Sequence, residues 1–294
     1  AKKTMIVAQR LYEGVELGSE GAVALITYMR TDSTRIADDA LRACREYIGT
    51  QYGAPYLPAQ PNRYASGKSA QEAHEAIRPT SVLRQPVAIK DYLSRDQFRL
   101  YQLIWQRFVA SQMAAAIFDT LSVEVIGVGQ RQYLLRASGS TVRFVGFLVV
   151  YEEARDEDQK PEEESETRIP ADLEEGQKQR LIRLLPEQHF TQPPPRYTEA
   201  TLVKKMEEEG IGRPSTYASI ISTLTERHYA ELEQRRFFPT ALGESVEKVM
   251  IKQFPREFDI GFTALMEEEL DKVEEGTMKW QQVLEEFWEP FEAK

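Results

Sequence analysis

A tyrosine and an arginine two residues apart are the side chains in this sequence best suited to chemistry. Tyr28 and Arg30 follow Ala22-Val23-Ala24-Leu25-Ile26-Thr27, and we predict a short buried strand over residues 22–29. Residues i and i+2 of a strand face the same side, so the two side chains would project together. A tyrosine hydroxyl can attack a phosphodiester, although only about one phenol in a thousand is ionised at pH 7. A neighbouring guanidinium would reduce that cost and stabilise the phosphoryl oxygens. The alternative is a core tyrosine beside a surface arginine.

A second candidate pair lies in a predicted short helix over residues 69–77. His74 and Arg78 are four residues apart, so they would share one helix face. Both side chains can contact phosphate, and a histidine can pass on a proton. The alternative is a solvated face on which Glu75 pairs with Arg78.

Residues 207–219 predict the end of one helix and the start of the next. Gly210 suits the left-handed position after a helix, and Ser215 suits the N-cap of a helix over 216–228. Arg213 lies just before that start, where free amides attract phosphate. A hairpin with Arg235 and Arg236 follows, which gives the outline of a winged helix-turn-helix. The alternative is an ordinary helical hairpin.

Two other segments have the spacing of ligand sites without the context. Ser66-Gly67-Lys68-Ser69 resembles the end of a phosphate-binding loop, but Asn62 stands where its first glycine belongs. The acidic residues between Asp156 and Glu162 match a magnesium spacing, yet they lie in a polar, proline-containing loop. We therefore predict no metal site in this chain.

The surrounding pattern predicts a mixed α+β chain of several domains, mainly α with a smaller antiparallel β part. The predicted helices cover residues 4–17, 36–50, 69–77, 94–115 and most of the chain after 198, where a hairpin interrupts near 229–238. The predicted strands cover residues 22–29, 117–127, 131–136, 141–151 and 180–191, with a turn at Gly139. Residues 152–167 are predicted to form a solvated acidic loop.

Composition limits the class of protein. The chain has 294 residues, a formal net charge of −10 and one cysteine, Cys44, which excludes an internal disulfide and a multi-cysteine zinc site. No apolar run is long enough to span a membrane, so we expect a cytoplasmic protein. The N-terminal part carries the basic excess, whereas a protein that coats duplex DNA would be basic throughout. The chain begins with Ala1 and not methionine, so we expect it to be a fragment.

Four long stretches, in the same order, resemble the type IA family of bacterial DNA topoisomerases. They are Leu25–Arg35 (LITYMRTDSTR), Tyr64–Thr80 (YASGKSAQEAHEAIRPT), Pro193–Leu224 (PPPRYTEATLVKKMEEEGIGRPSTYASIISTL) and Phe262–Gly276 (FTALMEEELDKVEEG). The resemblance implies the arch and gate of that family, with winged-helix-like helical domains. It implies a tyrosine-bearing gate domain over 1–113, a partial β-rich arch domain over 114–188, and a helical domain that binds single-stranded DNA over 189–294.

The resemblance also implies a role for each candidate residue. Tyr28 would cut one DNA strand and hold its 5′ phosphate as a phosphotyrosine ester. Arg30 would position the scissile phosphate and stabilise the transition state, and His74, the third catalytic candidate, would contact the DNA backbone nearby. The positions that would contact DNA are Arg78, Arg213, Ser215, Thr216 and Arg227. Strand passage through the break would relax negative supercoils without ATP.

No segment of this sequence resembles the Toprim domain of the family, which binds Mg²⁺ and assists the chemistry. We therefore expect the partners to be single-stranded or negatively supercoiled DNA, near the nucleoid, and the Toprim domain of the same polypeptide. We expect the chain alone to be inactive or weakly active. The alternative is a non-enzymatic winged-helix DNA-binding protein, which would bind duplex DNA tightly and with a steep salt dependence. A tyrosine recombinase is disfavoured because its nucleophile lies near the C-terminus.

Overall fold

The computed structural model describes residues 1–65, 74–152, 169 and 173–292. The loop-like motif at 66–69, the acidic motif at 156–162, nearly all of the predicted loop 152–167 and the start of the predicted helix 69–77 lie outside the described residues.

The described residues form two compact units. One unit comprises Ala1–Ala37, Arg63–Ile104 and Arg196–Lys294, and the other comprises Asp38–Asn62 and Trp105–Pro195. The predicted domains 1–113, 114–188 and 189–294 do not coincide with these units, and that division stays a prediction.

The mixed α+β class is confirmed, because helices predominate and the sheets of the described residues are small and antiparallel. The helices are α1 (Lys2–Glu13), α2 (Asp38–Gln51), α3 (Arg95–Ser111), α4 (Glu199–Glu208), α5 (Tyr217–Glu226), α6 (Ala241–Gln253), α7 (Ile260–Glu274) and α8 (Trp280–Glu292). The strands are β1 (Val15–Glu16), β2 (Ala22–Val23), β3 (Ile117–Val128), β4 (Gln132–Phe144), β5 (Ala230–Glu233) and β6 (Arg236–Pro239). They pair as β1–β2, β3–β4 and β5–β6.

The predicted strand over residues 22–29 is wrong for most of its length. Only β2 is a strand, and beyond it the chain makes a single antiparallel bridge between Ile26 and Pro79. Proline has no N–H, so Pro79 cannot donate the main-chain hydrogen bond that would continue the pairing of two strands. Tyr28 and Arg30 therefore lie beyond the strand and not on one of its faces.

The β part also differs from its prediction. Two long strands form instead of three short ones, because Gly139 pairs with Leu121 inside β4 and does not make a turn. The chain after β4 forms a short 3₁₀ turn at Gly146–Val149, not a strand. Gly146 has a φ of +51°, and a Cβ there would lie 2.6 Å from the Ala114 carbonyl oxygen, so only glycine fits.

The predicted strand over residues 180–191 is wrong. Described residues 173–197 contain no helix or strand. The apolar side chains of Leu181, Ile182, Leu184 and Leu185 are all at least 66% exposed. Alternating apolar residues favour a strand, but they do not supply the neighbouring strand with which it must pair.

The predicted helical region after residue 198 is confirmed, including its hairpin β5–β6. Thr198 caps α4 by accepting a hydrogen bond from the Thr201 N–H. Met206 of α4, Ile221 of α5 and Phe237 of β6 form a common buried core. This core fixes the turn between α4 and α5, which carries Arg213, against the hairpin.

Candidate active site

The segment that carries Tyr28 is held by the chain around Pro79. The N–H of Thr27 donates to the Arg78 carbonyl at 3.0 Å, and the N–H of Thr80 donates to the Leu25 carbonyl at 3.0 Å. The Thr27 hydroxyl donates to the Ala76 carbonyl at 2.7 Å. These bonds fix the main chain immediately before Tyr28.

The same segment is bonded on the other side of Tyr28 as well. The N–H of Ala76 donates to the Arg35 carbonyl at 2.7 Å, and the Ser33 hydroxyl donates to the His74 carbonyl at 2.8 Å. Residues 74–78 thus use their main-chain groups to bind residues 27–35. The predicted helix over 69–77 is wrong for described residues 74–77, which are not helical.

Tyr28 is accessible, with 50% of its surface exposed. Its ring centroid lies 5.4 Å from that of Tyr12 in an edge-to-face arrangement and 6.3 Å from that of His74. Tyr28 and His74 therefore lie close together, because the two segments that carry them pair. The alternative of a core tyrosine does not hold.

Arg30 follows Tyr28 through a tight turn, since its N–H donates to the Tyr28 carbonyl at 3.0 Å. Its guanidinium donates to both carboxylate oxygens of Asp32, each at 3.2 Å. The two side chains are 28% and 17% exposed. Arg30 thus lies close to Tyr28 in the chain, and its guanidinium makes a bidentate ion pair with Asp32. The sequence did not indicate this partner.

Arg78 does not share a helix face with His74. Its guanidinium donates to Glu75 at 2.6 and 2.9 Å and to the Pro79 carbonyl at 3.0 Å. The Glu75–Arg78 pair of the alternative interpretation is therefore present. The Nδ1 atom of His74 is buried without a hydrogen-bond partner in the described part of the chain.

Arg213 lies at the turn between α4 and α5. Its guanidinium donates to Asp271 of α7 at 2.7 Å, lies 3.6 Å from Glu267 and donates to the Gly212 carbonyl at 2.8 Å. Burial lowers the pKa of Arg213, but the hydrogen bond and charge of Asp271 and the charge of Glu267 outweigh it and raise that pKa. Arg213 is thus fully paired, and α7 holds it.

The start of α5 differs by one residue from the prediction. The N-cap is Thr216 and not Ser215. The Thr216 hydroxyl accepts a hydrogen bond from the Arg213 N–H at 2.9 Å, and both Ser215 and Thr216 are exposed. Arg227, also exposed, is the C-cap at the other end of α5.

Tyr217, in the first turn of α5, interacts electrostatically with Arg213 and with Asp32 of the Tyr28 segment. Burial, followed by the negative charges of Glu207, Glu267 and Asp32, raises the pKa of the Tyr217 phenol, and only Arg213 opposes this. Asp32 is the partner of Arg30, so the first turn of α5 lies within electrostatic reach of the Tyr28 segment.

Across the described ranges, no group of three or more His, Cys, Asp or Glu side chains is arranged to hold a metal ion. No helix in the same ranges is long and apolar enough to cross a membrane.

Comparisons with known proteins agree on one family. The family model described as DNA topoisomerase matches residues 1–285. The chain is 50% identical over 291 residues to the protein named DNA topoisomerase 1 in two Xylella fastidiosa strains, 9a5c and Temecula1. The match covers 99% of this chain and 35% of each relative.

A solved structure shows the same fold. The full-length topoisomerase I from Thermotoga maritima matches with a TM-score of 0.82 and 37% sequence identity, over 99% of this chain and 46% of that one. The chain therefore spans less than half the length of the relatives that it matches.

Proposed function

Because this chain belongs to the bacterial DNA topoisomerase I family, a family of type IA isomerases, we propose that it carries the strand-cleaving tyrosine of such an enzyme. The observation that supports this most directly is Tyr28, which is half exposed, has its ring beside that of His74 and accepts a main-chain hydrogen bond from Arg30. Family membership favours the enzyme over the non-enzymatic DNA-binding alternative.

The proposed reaction is a reversible exchange of phosphodiester bonds. The Tyr28 oxygen forms a bond to phosphorus, and the bond from phosphorus to the 3′ oxygen of the preceding nucleotide breaks. The phenol loses a proton, and the leaving oxygen gains one to become a 3′ hydroxyl. The 5′ phosphate stays on Tyr28 as an ester, which is why resealing and the relaxation of negative supercoils need no ATP.

Arg30 and His74 are the proposed assistants at the phosphate. The fork that Arg30 offers to the two oxygens of Asp32 has the geometry with which arginine also binds two phosphoryl oxygens. His74 lies beside the ring of Tyr28 and can donate to a phosphate oxygen or pass a proton. We propose that phosphate replaces Asp32 on Arg30 when DNA is bound.

The DNA strand is proposed to run along Arg78, Arg213, Ser215, Thr216 and Arg227. Arg227, Ser215 and Thr216 are exposed, and the positive end of the α5 helix dipole favours an anion. Arg78 and Arg213 are already paired with carboxylates, so phosphate must compete with those carboxylates. The helix α5 with the hairpin β5–β6 is the proposed winged-helix-like element.

Mg²⁺ is proposed to act from a Toprim domain. That domain, single-stranded or negatively supercoiled DNA, and the bacterial cytoplasm near the nucleoid are the proposed partners and place of action. Without the Toprim domain, the chain is expected to cleave poorly or not at all.

The test uses this chain, a separately produced Toprim fragment, Mg²⁺ and end-labelled single-stranded DNA. Wild type should give a covalent protein–DNA adduct, Tyr28→Phe should give none, and Tyr92→Phe, at another exposed tyrosine, should match wild type. Equal adduct from Tyr28→Phe would move the nucleophile elsewhere. Prompt relaxation of plasmid by the chain alone would contradict its proposed dependence on the Toprim domain.

A further inference from the structure

The ring of Tyr28 is in contact with a second tyrosine that the proposed reaction does not use. The planes of the Tyr12 and Tyr28 rings are inclined by 66°, with 5.4 Å between their centroids. In such an arrangement the positive edge of one ring meets the negative face of the other, which is attractive. Half of the Tyr28 surface nonetheless stays exposed, so the contact restrains the ring without covering it.

Tyr12 is placed by a rigid element. It lies in the last turn of α1, directly after Leu11, which is fully buried. The Leu11 carbonyl accepts a hydrogen bond from the Leu25 N–H at 2.8 Å, which ties this turn to the segment that leads to Tyr28. The main-chain positions from which the two tyrosines project are therefore fixed relative to each other.

The other end of α1 carries two exposed ion pairs to neighbouring helices. Lys2 pairs with Glu226 of α5 at 3.1 Å, and Lys3 pairs with Asp96 of α3 at 2.6 Å. Glu226 immediately precedes Arg227, which we place on the DNA path. The helix that carries Tyr12 thus runs from the helix that is proposed to bind the strand to the proposed nucleophile.

We propose that Tyr12 is a positioning residue for Tyr28, whose ring it holds in the orientation required for attack. This inference rests on the proposed function. An exposed side chain changes rotamer within picoseconds to nanoseconds, and each rotamer directs the hydroxyl elsewhere. An oriented nucleophile reacts faster once DNA is bound. The contact with Tyr12 therefore acts on the rate of cleavage at saturating DNA and not on DNA affinity.

Three variants separate the ring of Tyr12 from its hydroxyl and from general effects. Tyr12→Phe keeps the ring, Tyr12→Leu keeps an apolar side chain but loses the ring, and Tyr92→Leu removes an exposed tyrosine elsewhere in the same unit. In the adduct assay, Tyr12→Leu should lower the rate at saturating DNA about 3- to 10-fold. The half-saturating DNA concentration and the melting temperature should be unchanged, and Tyr12→Phe and Tyr92→Leu should match wild type.

A second measurement needs no activity. In the chain labelled with ¹³C-tyrosine, the Tyr28 ring signals are identified by their loss in Tyr28→Phe. Nuclear relaxation should show greater motion of the Tyr28 ring on the picosecond to nanosecond scale in Tyr12→Leu, and wild-type motion in Tyr12→Phe.

The outcomes distinguish this inference from the proposed function. Unchanged Tyr28 motion in Tyr12→Leu overturns the inference, as does a Tyr12→Phe variant as impaired as Tyr12→Leu, because the ring would then not be the active feature. Wild-type cleavage by Tyr12→Leu alongside inactive Tyr28→Phe overturns the inference alone. Adduct formation by Tyr28→Phe overturns the proposed function.

Discussion

Thr27 and Arg78 bind each other through two hydrogen bonds that run in opposite directions. The N–H of Thr27 donates to the Arg78 carbonyl at 3.0 Å, and the N–H of Arg78 donates to the Thr27 hydroxyl at 3.0 Å. The residue before Tyr28 is thereby joined to the residue before Pro79.

Replacing Thr27 tests this link. Thr27→Val keeps the shape but leaves the Arg78 N–H and the Ala76 carbonyl without the hydroxyl, so the free energy of unfolding should fall by about 1–2 kcal/mol. Urea unfolding measures the change, and Thr27→Ser, which keeps the hydroxyl, should lose less than half as much. Equal stability of Thr27→Val and wild type would show that the hydroxyl does not hold the segment.

Arg213 and Asp271 offer a second test. Asp271→Asn leaves a guanidinium that is only 27% exposed with the more distant Glu267 as its remaining carboxylate. We expect the free energy of unfolding to fall by about 1–2 kcal/mol. The control is Glu268→Gln, at an exposed position of the same helix, which should change it by less than about 0.5 kcal/mol. If both variants unfold alike, the pair does not stabilise the turn.

The helices of this protein were predictable because each one carries its own signal. The apolar periodicity of α2 and α3 and the turn and capping residues around α4 and α5 lie within the elements that they specify. The errors at residues 22–29 and 180–191 have a different cause. A strand depends on its partner, and the first of these segments meets Pro79, which has no N–H to donate.

In the candidate site, too, the residues were predictable from the local sequence, whereas their contacts with distant residues were not. Tyr28, Arg30 and His74 were indicated by residue type and by family resemblance. The contact of Tyr28 with Tyr12 was not, because it depends on a hydrogen bond between Leu11 and Leu25 that no local pattern encodes. Asp271 is 58 residues from Arg213, and only the packing of α7 brings it there.

Replacing His228 by glycine should stabilise the protein. It follows α5 with a φ of +54°, and the bonds from the N–H groups of His228 and Tyr229 to the carbonyls of Thr225 and Leu224 define a Schellman motif, which favours glycine. His228→Gly should raise the free energy of unfolding by about 1 kcal/mol, as measured by urea unfolding.

His228→Ala is the matched control for that gain. Alanine retains a Cβ in the left-handed conformation, so it should give no increase. A stabilisation by alanine equal to that by glycine would assign the effect to loss of the imidazole and not to relief of the backbone.

Ionisation of the buried Cys44 thiol should lower the stability of the protein at alkaline pH. Burial raises the pKa of its thiol from 9.0 to about 12, with a smaller opposing effect of Arg45. The unfolded chain therefore loses this proton at lower pH than the folded chain. The stabilisation is complete below pH 9 and is lost as pH rises toward 12, at about 1.4 kcal/mol per pH unit.

Between pH 9 and pH 10, wild type should therefore lose stability more steeply than Cys44→Ala, in unfolding followed by tryptophan fluorescence. Burial and Tyr52 also raise the pKa of Tyr47 to about 12, so both proteins should decline above pH 10. Parallel curves below pH 10 would mean that the thiol is accessible, and rapid labelling of the folded chain by a thiol reagent at pH 8 would show the same.

Arg227 tests the proposed path of the DNA strand. Its side chain is exposed at the end of α5, so a phosphate could bind it without displacing a carboxylate. Each arginine that neutralises one phosphate of a single strand adds about 0.7 to the slope of log K against log salt. Arg227→Gln should therefore weaken binding of single-stranded DNA about 3- to 10-fold near 0.1 M salt and reduce that slope by about 0.7.

Arg99→Gln, at an exposed position of α3, changes the net charge equally but lies off the proposed path, so it should leave the slope unchanged. Fluorescence anisotropy across a salt series measures both quantities. A weaker affinity with an unchanged slope would mean that Arg227 supports the fold of α5 and does not contact phosphate. If the slope fell equally in Arg227→Gln and Arg99→Gln, Arg227 would contribute only through the net charge of the protein.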